Sequence, residues 1–229
     1  MIKLLLEYIN WGLKLTTNTT KYITLIIVLI SLLPKLNLFT LPTLELDNDK
    51  ILWNFQFYRL FTCYFIYKFD WTFAFMVWNW IRFSTEVEKF IFKNNQPEFI
   101  WYLVLQGGFC LIGGIIFSLK DMGYVLLYTL VGIWSYHFAN ENVMYFYKVY
   151  LPGKYMPISY IIFDIVMLEW VPIHGIVGLL SCLIFVYFDV KSKTQHLVNP
   201  LQTPDLMYKL FPGSSKKGQF DEENLIHND

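Results

Sequence analysis

The sequence predicts an all-α polytopic membrane protein: six transmembrane helices in one bundle, with a partly embedded loop after the first. Three observations carry this. Of 229 residues, 55% are hydrophobic, 20% are aromatic and 16% are charged, against about 25% charged in soluble domains. Apolar runs recur until residue 188, and the remainder of the chain is polar. Six helices of about 20 residues occupy roughly 120 positions, which leaves room for loops and a tail but not for a second bundle. Eighteen basic residues balance eighteen acidic ones, so net charge supplies no attraction for nucleic acid. Cys63, Cys110 and Cys182 are odd in number and form no CxxC pair, so they read as packing residues, and no metal or other cofactor is expected.

The first span is YITLIIVLISLLPKLNLF, residues 22–39; it begins after about twenty mixed residues and lacks a small-residue cleavage pattern, which argues against a cleaved signal peptide. Residues 41–70 mix recurring charges with many aromatics, a composition suited to the membrane interface, and form the embedded loop. The second span, residues 71–92, is apolar first and charged later, so it is expected to emerge into water near Ser84. The third, residues 97–119, carries Gly107, Gly108, Gly113 and Gly114, small residues that allow neighbouring helices to approach closely. After a turn at Lys120 and Asp121 the fourth runs over 122–138, followed by an interfacial tract, ANENVMYFYKVYLPGK. The fifth and sixth spans, 157–170 and 171–188, are punctuated by Pro172 and Gly175. Residues 1–190 thus form one membrane domain and 191–229 a polar cytosolic tail.

An even number of spans puts both termini on one side. With the termini in the cytosol, the opposite face holds Lys35, Lys50, Arg59, Lys68 and Lys120, leaving thirteen of eighteen basic residues inside, as the positive-inside rule favours. The sequon Asn18-Thr19-Thr20 should then carry no glycan.

Catalytic chemistry finds little support. An intramembrane serine hydrolase needs a serine within hydrogen-bond reach of a histidine. Ser135 and His137 lie two apart on one helix and face different ways, while Ser135 and His174 are expected at opposite ends of their spans. No GxSG turn, HExxH motif or pair of intramembrane aspartates is present. Asp164, in the middle of SYIIFDIVM, is the intramembrane ionisable residue and a functional candidate by default. A structural reading has it bonded to a neighbouring helix, and no inverted repeat supports transport.

Five segments in order resemble the Derlin family, the proteolytically inactive branch of the rhomboid superfamily, from about Thr20 to Gly218. FQFYRLFTCYF resembles the family's Trp-Arg pair followed by Thr, here Tyr58, Arg59 and Thr62, with tyrosine in place of tryptophan. NWIRFSTEVEKFIF resembles the polar second-helix end, with Arg82 beside Ser84, Thr85 and Glu88. GIWSYH resembles the fourth-helix signature at Trp134 and Ser135, KYMPI a Leu-Pro-Trp element at Pro157, and LQTPDLMYKLFPGS the segment after the sixth span, with Thr203, Pro204 and Pro212 in register. Ser181 and Cys182 occupy the place of the family's Gly-His pair, and Phe220 has no glycine after it.

The resemblance implies a rhomboid-like pseudoprotease in the endoplasmic reticulum membrane. It implies a role in retrotranslocating misfolded clients to the cytosol, beside a membrane ubiquitin ligase complex and as a Derlin homo- or hetero-oligomer. The tail's departure makes contact with the AAA segregase indirect. In this reading Arg82, Ser84, Thr85 and Glu88 place polar groups against lipid and thin the bilayer, Tyr58 and Arg59 anchor at the lumenal interface with the guanidinium snorkelling to phosphate, and Trp134 is an interface anchor. The alternative within the family is a relocated Derlin importing precursors across a plastid-surrounding membrane, for which the expected bipartite leader is not seen.

Overall fold

The computed structural model describes residues 16–69, 71–146, 149–167, 172–195 and 200–211. Helices dominate. α1 spans Asn18–Leu32. The first loop folds into three short helices, α2 (Leu41–Leu44), α3 (Asn48–Asn54) and α4 (Arg59–Thr62). Next come α5 (Trp71–Glu86), continued by a π-helical turn at Val87–Ile91, α6 (Gln96–Ile116) and α7 (Gly123–His137). A β-hairpin, β1 (Asn142–Phe146) and β2 (Val149–Pro152), precedes α8 (Met156–Met167), α9 (Ile173–Gln195) and α10 (Asp205–Leu210).

α7 is the axis of the bundle. Its sequence is apolar all round, and such a helix has no face to give to a solvent; eleven of its fifteen residues are buried. α5, α6, α8 and α9 pack around it. α9 comes closest, because Gly178 faces α7 where a Cβ would fall against the Val125 carbonyl oxygen and 2.6 Å from the Tyr128 Cβ. Backbone cannot yield there, so Gly178→Ala is expected to destabilise by about 2 kcal/mol through overpacking. Gly108 has nothing within 4 Å of such a Cβ, so Gly108→Ala should be neutral or stabilising through helix propensity. Thermal unfolding of the two variants in detergent, monitored by tryptophan fluorescence, checks both; equal melting temperatures would contradict the close approach.

Polarity is inverted relative to a soluble domain. Gln106, Thr129, Ser181, Ser84 and Glu88 are buried, while Val104, Ile112 and Ile116 of α6 and Ile176, Leu180 and Leu183 of α9 are exposed. Soluble monomers rarely leave so much contiguous apolar surface. α6 and α9 are long and apolar enough to cross a membrane, and α1 is a shorter apolar helix.

The sequence reading differs from the fold in four places. The tract after the fourth span is not all-helical: β1 and β2 pair antiparallel, Val143 opposite Leu151, as befits a run rich in Val, Tyr and Phe. The sixth helix runs past the end of the expected span at residue 188, to Gln195, with Lys193 reaching Asp189 at 3.0 Å one turn back. The second helix does not open into water at Ser84, which is buried. Of the four packing glycines, Gly113 and Gly114 approach Val177 and Met122, Gly107 makes ordinary contact with Tyr64, and Gly108 packs against nothing.

The described chain begins and ends at one end of the bundle. Thr17 meets Glu88, Asn94 closes the π turn onto the Glu88 carbonyl at 2.9 Å, and the segment after α9 returns to the start of α6: Trp101 Nε1 donates to the Leu201 carbonyl at 3.0 Å and Tyr208 donates to Glu98 at 2.8 Å. Burial, together with the neighbouring Glu98 carboxyl that accepts its proton, pushes the Tyr208 hydroxyl up to about 12. The first loop packs at the opposite end, where Leu46 N–H donates to the Lys120 carbonyl. Motif residue Pro212 and tail residue Phe220 lie outside the described residues.

Candidate functional site

The residues singled out by the sequence fall into three places. The first is the loop motif. Arg59 opens α4, and instead of reaching outward to phosphate it is 2% exposed. Its Nε donates to Gln56 Oε1 at 2.7 Å, and Nη1 donates to the carbonyls of Pro42 at 2.7 Å and Glu45 at 2.8 Å. Thr62 Oγ1 donates to the Leu44 carbonyl at 2.8 Å, and the Tyr58 hydroxyl to the Thr43 carbonyl at 3.2 Å. All three motif side chains therefore bond to the carbonyls of residues 42–45, the turn around α2. That short helix cannot satisfy its own terminal carbonyls, and a guanidinium with several fixed donors is suited to gathering them. Tyr58 is exposed at the surface, and Arg59 is a brace.

The second place is the end of α5. Ser84 and Glu88 are one turn apart and face α1 rather than lipid. Thr17 Oγ1 donates to Glu88 Oε2, Thr20 Oγ1 also donates to it at 3.3 Å, and Thr20 and Ser84 hydroxyls share a bond of 2.8 Å. Glu88 is 1% exposed. The π turn places Val87 and Glu88 both inward, which a regular α-helix would not do as readily. The Thr85 hydroxyl is buried without a hydrogen-bond partner among the described residues. Arg82 pairs with Glu86 at 3.6 Å, and Glu86 in turn accepts from Trp134 Nε1 at 2.5 Å. Trp134 is thus a buried donor rather than an interface anchor. Ser135 beside it is buried as well, and Pro157 sits in the first turn of α8, where a missing N–H costs nothing.

The third place is a cleft over α7 between α5 and α8, lined by Thr72, Phe75, Met76, Tyr128, Phe163 and Asp164 among others. Asp164, half-buried, accepts from the Tyr128 hydroxyl. The sequence reading named Asp164 but missed Tyr128 and the Tyr160–Asn79 bond beneath it; polar groups spaced at helical intervals in apolar runs are the signal that could have shown them. A smaller buried chain joins Ser181 to Gln106 at 2.9 Å and Cys110 to Ser181 at 3.5 Å, while the neighbouring Cys182 packs against Gly132.

The site geometry does not bring Ser135 to His174. Ser135 adjoins the Trp134–Glu86 bond at one end of the bundle, and His174 Nε2 lies 3.2 Å from Asp121 at the other. Among the described residues, no three His, Cys, Asp or Glu side chains converge as metal ligands would.

A model of the Der1-like family matches residues 17–205. Derlin-1 of Oryza sativa subsp. japonica is 23% identical over 184 residues, 79% of this chain and 75% of that protein. An uncharacterised derlin-like protein of Schizosaccharomyces pombe is 26% identical over 207 residues, 86% of this chain and 90% of its own. Derlin-1 of Drosophila melanogaster is 21% identical over 210 residues, 90% and 84% of the two chains.

Proposed function

The chain belongs to the Der1-like family, and from that premise we propose that it is a non-catalytic component of endoplasmic-reticulum-associated degradation that helps retrotranslocate misfolded proteins to the cytosol. It acts in the membrane, with the end that carries both described chain termini in the cytosol, the side favoured by thirteen of the eighteen basic residues. A membrane ubiquitin ligase complex receives the client.

One observation supports local thinning as the mechanism. α1 presents exposed Leu25, Ile26 and Leu29 outward, yet has 15 residues. At 1.5 Å per residue it spans about 22 Å, against about 30 Å of hydrocarbon. Lipid against α1 must shorten to match, and a thinner apolar layer lowers the cost of moving polar backbone across. The thinning element is therefore the short outer helix; Ser84 and Glu88, which the sequence placed against lipid, hold that helix in position.

Depletion of the protein should slow the decay of a misfolded membrane reporter by a factor of about two or more, with wild-type protein restoring it, on the logic that removal of a stabilised path raises the barrier. Purification in mild detergent should recover a membrane ubiquitin ligase together with ubiquitylated clients. Unchanged reporter decay, or recovery of plastid precursors without a ligase, would reject the assignment.

A further inference from the structure

The end of the bundle that carries both described chain termini holds a short helix that the proposed function does not use. α10 is docked on the first turns of α6: Tyr208 donates to Glu98 at 2.8 Å, and Trp101 Nε1 donates to the Leu201 carbonyl at 3.0 Å. Met207 and Tyr208 are half-buried. Leu206 is 65% exposed, Leu210 is 61% exposed, and Lys209 is exposed between them; their i, i+3, i+4 spacing brings the three onto one face.

The height of α10 can be read from the helices beside it. α6 has 21 residues, about 31 Å of helix against about 30 Å of hydrocarbon. Glu98 and Trp101, in its first turns, therefore stand at one boundary of the apolar layer. α9 gives the same boundary independently. Ser181 bonds to Gln106 at 2.9 Å, and Phe185 meets Tyr102 with ring centroids 4.9 Å apart, so the two helices run antiparallel. Tyr187, six residues past Ser181, falls level with Ile100, six before Gln106. Tyr187 is exposed, and Lys191, one turn further out, lies over its ring at 5.6 Å. A tyrosine with a lysine beyond it marks the headgroup level. One turn inward from Trp101, exposed Val104 opens the lipid-facing strip of α6.

We infer that α10 is an interfacial membrane anchor: Leu206 and Leu210 enter the headgroup–acyl boundary of the leaflet at this end, cytosolic in the proposed orientation, and Lys209 reaches the lipid phosphates. Two observations select lipid as the occupant. The leucines continue the lipid-facing surface of α6 at its boundary, and the cation on their face has the sign that headgroup phosphates attract. Two leucines and a lysine are also too small a patch for a stable protein partner, which covers about 800 Å² on each side. Lipid needs no such area, because α6 already holds α10 at the membrane and insertion is an intramolecular step. The polar tail thus touches the membrane at residues 205–210, where composition alone places it in water.

The test uses the full-length protein in nanodiscs of phosphatidylcholine with about one fifth phosphatidylserine. Leu206→Cys carries a nitrobenzoxadiazole fluorophore; Cys63, Cys110 and Cys182 are buried, so the new thiol is the reactive one. Val104→Cys and Lys193→Cys, at exposed positions on α6 and at the end of α9, carry the same label as lipid and water references. Lipid with a nitroxide high on its acyl chain should quench the Leu206 label at least about half as strongly as the Val104 label, and iodide should quench it at least about threefold less than the Lys193 label. The same label on Leu210→Cys should agree. Adding Lys209→Glu and Leu210→Glu to the labelled Leu206→Cys protein should abolish the nitroxide quenching and raise iodide access to the Lys193 level. Iodide access already at that level without nitroxide quenching places α10 in water and overturns the inference. Nitroxide quenching that survives the two glutamates overturns it as well, because the face would not set the contact. Shielding from iodide without nitroxide quenching overturns lipid in favour of protein, and energy transfer between donor-labelled and acceptor-labelled copies would identify that protein as a second copy of this chain.

Discussion

Arg59→Ala is expected to be the most damaging single substitution in the chain outside the glycine contacts. The guanidinium makes three hydrogen bonds of 2.7–2.8 Å from a nearly inaccessible position. Its removal leaves the Pro42 and Glu45 carbonyls and the Gln56 amide oxygen without that donor in a place water enters poorly. Hydrogen bonds to charged groups contribute about 1.5–3 kcal/mol each, with buried unsatisfied acceptors adding to the loss, so a net cost of about 3 kcal/mol or more is expected. For a chain of this length that corresponds to a melting temperature lower by about 6–12 °C. Arg59→Lys keeps the charge but not the fork that serves two carbonyls and an amide at once, and should recover less than half of the loss. Thermal unfolding in nanodiscs, with proteolysis of the first loop as a local readout, measures both variants. A shift for Arg59→Ala no larger than that of an exposed Lys35→Ala control would show that the brace contributes nothing.

Glu88→Leu should have the second largest effect, and a different one. Thr17 and Thr20 both donate to Glu88, and with the Thr20–Ser84 bond these side chains tie the start of α1 to the end of α5 and its π turn. Leucine leaves the buried Thr20 hydroxyl and the half-buried Thr17 hydroxyl with one acceptor fewer, at a cost of about 2–3 kcal/mol. Because Thr20 and Ser84 still share a bond, the helix pair should loosen rather than separate: hydrogen exchange in α1 accelerates while the α7–α9 contact keeps its protection. Glu88→Gln retains an acceptor and should cost about half as much. A double-mutant cycle with Ser84→Ala then gives a coupling of roughly 0.5–3 kcal/mol if the four side chains act as one network. Uniform acceleration across all helices would instead mean that Glu88 supports the fold globally and that α1 is not separately held.

These two positions also show how far the sequence could be read. Helix order, the positions of α6 and α9, and the residues worth watching all emerge from hydropathy and motif spacing. Which way Arg59, Glu88 and Trp134 point does not. Each is a residue type that composition places at an interface or in water, and each is buried because a partner distant along the chain arrives beside it: the 42–45 carbonyls for Arg59, Thr17 and Thr20 for Glu88, Glu86 for Trp134. Linear spacing carries no record of such meetings. The hairpin was legible in principle, since NVMYF and VYLP are strand-forming runs, but an aromatic-rich stretch between membrane helices reads equally as interfacial. Asp164 was found because an aspartate in an apolar run stands out; Tyr128 was not, because tyrosine does not.

The contact between Trp101 and Leu201 has a consequence in time as well as in space. Its two ends are 100 residues apart, so at a synthesis rate of about 5–20 residues per second Trp101 is made roughly 5–20 s before its acceptor exists. During that interval the start of α6, including Glu98, stands without the segment that later covers it. The α10 segment therefore marks completion: a chain truncated before residue 200 retains its membrane helices yet shows an open patch at Trp101 and Glu98, and a chaperone or quality-control factor that read that patch would distinguish unfinished copies from finished ones.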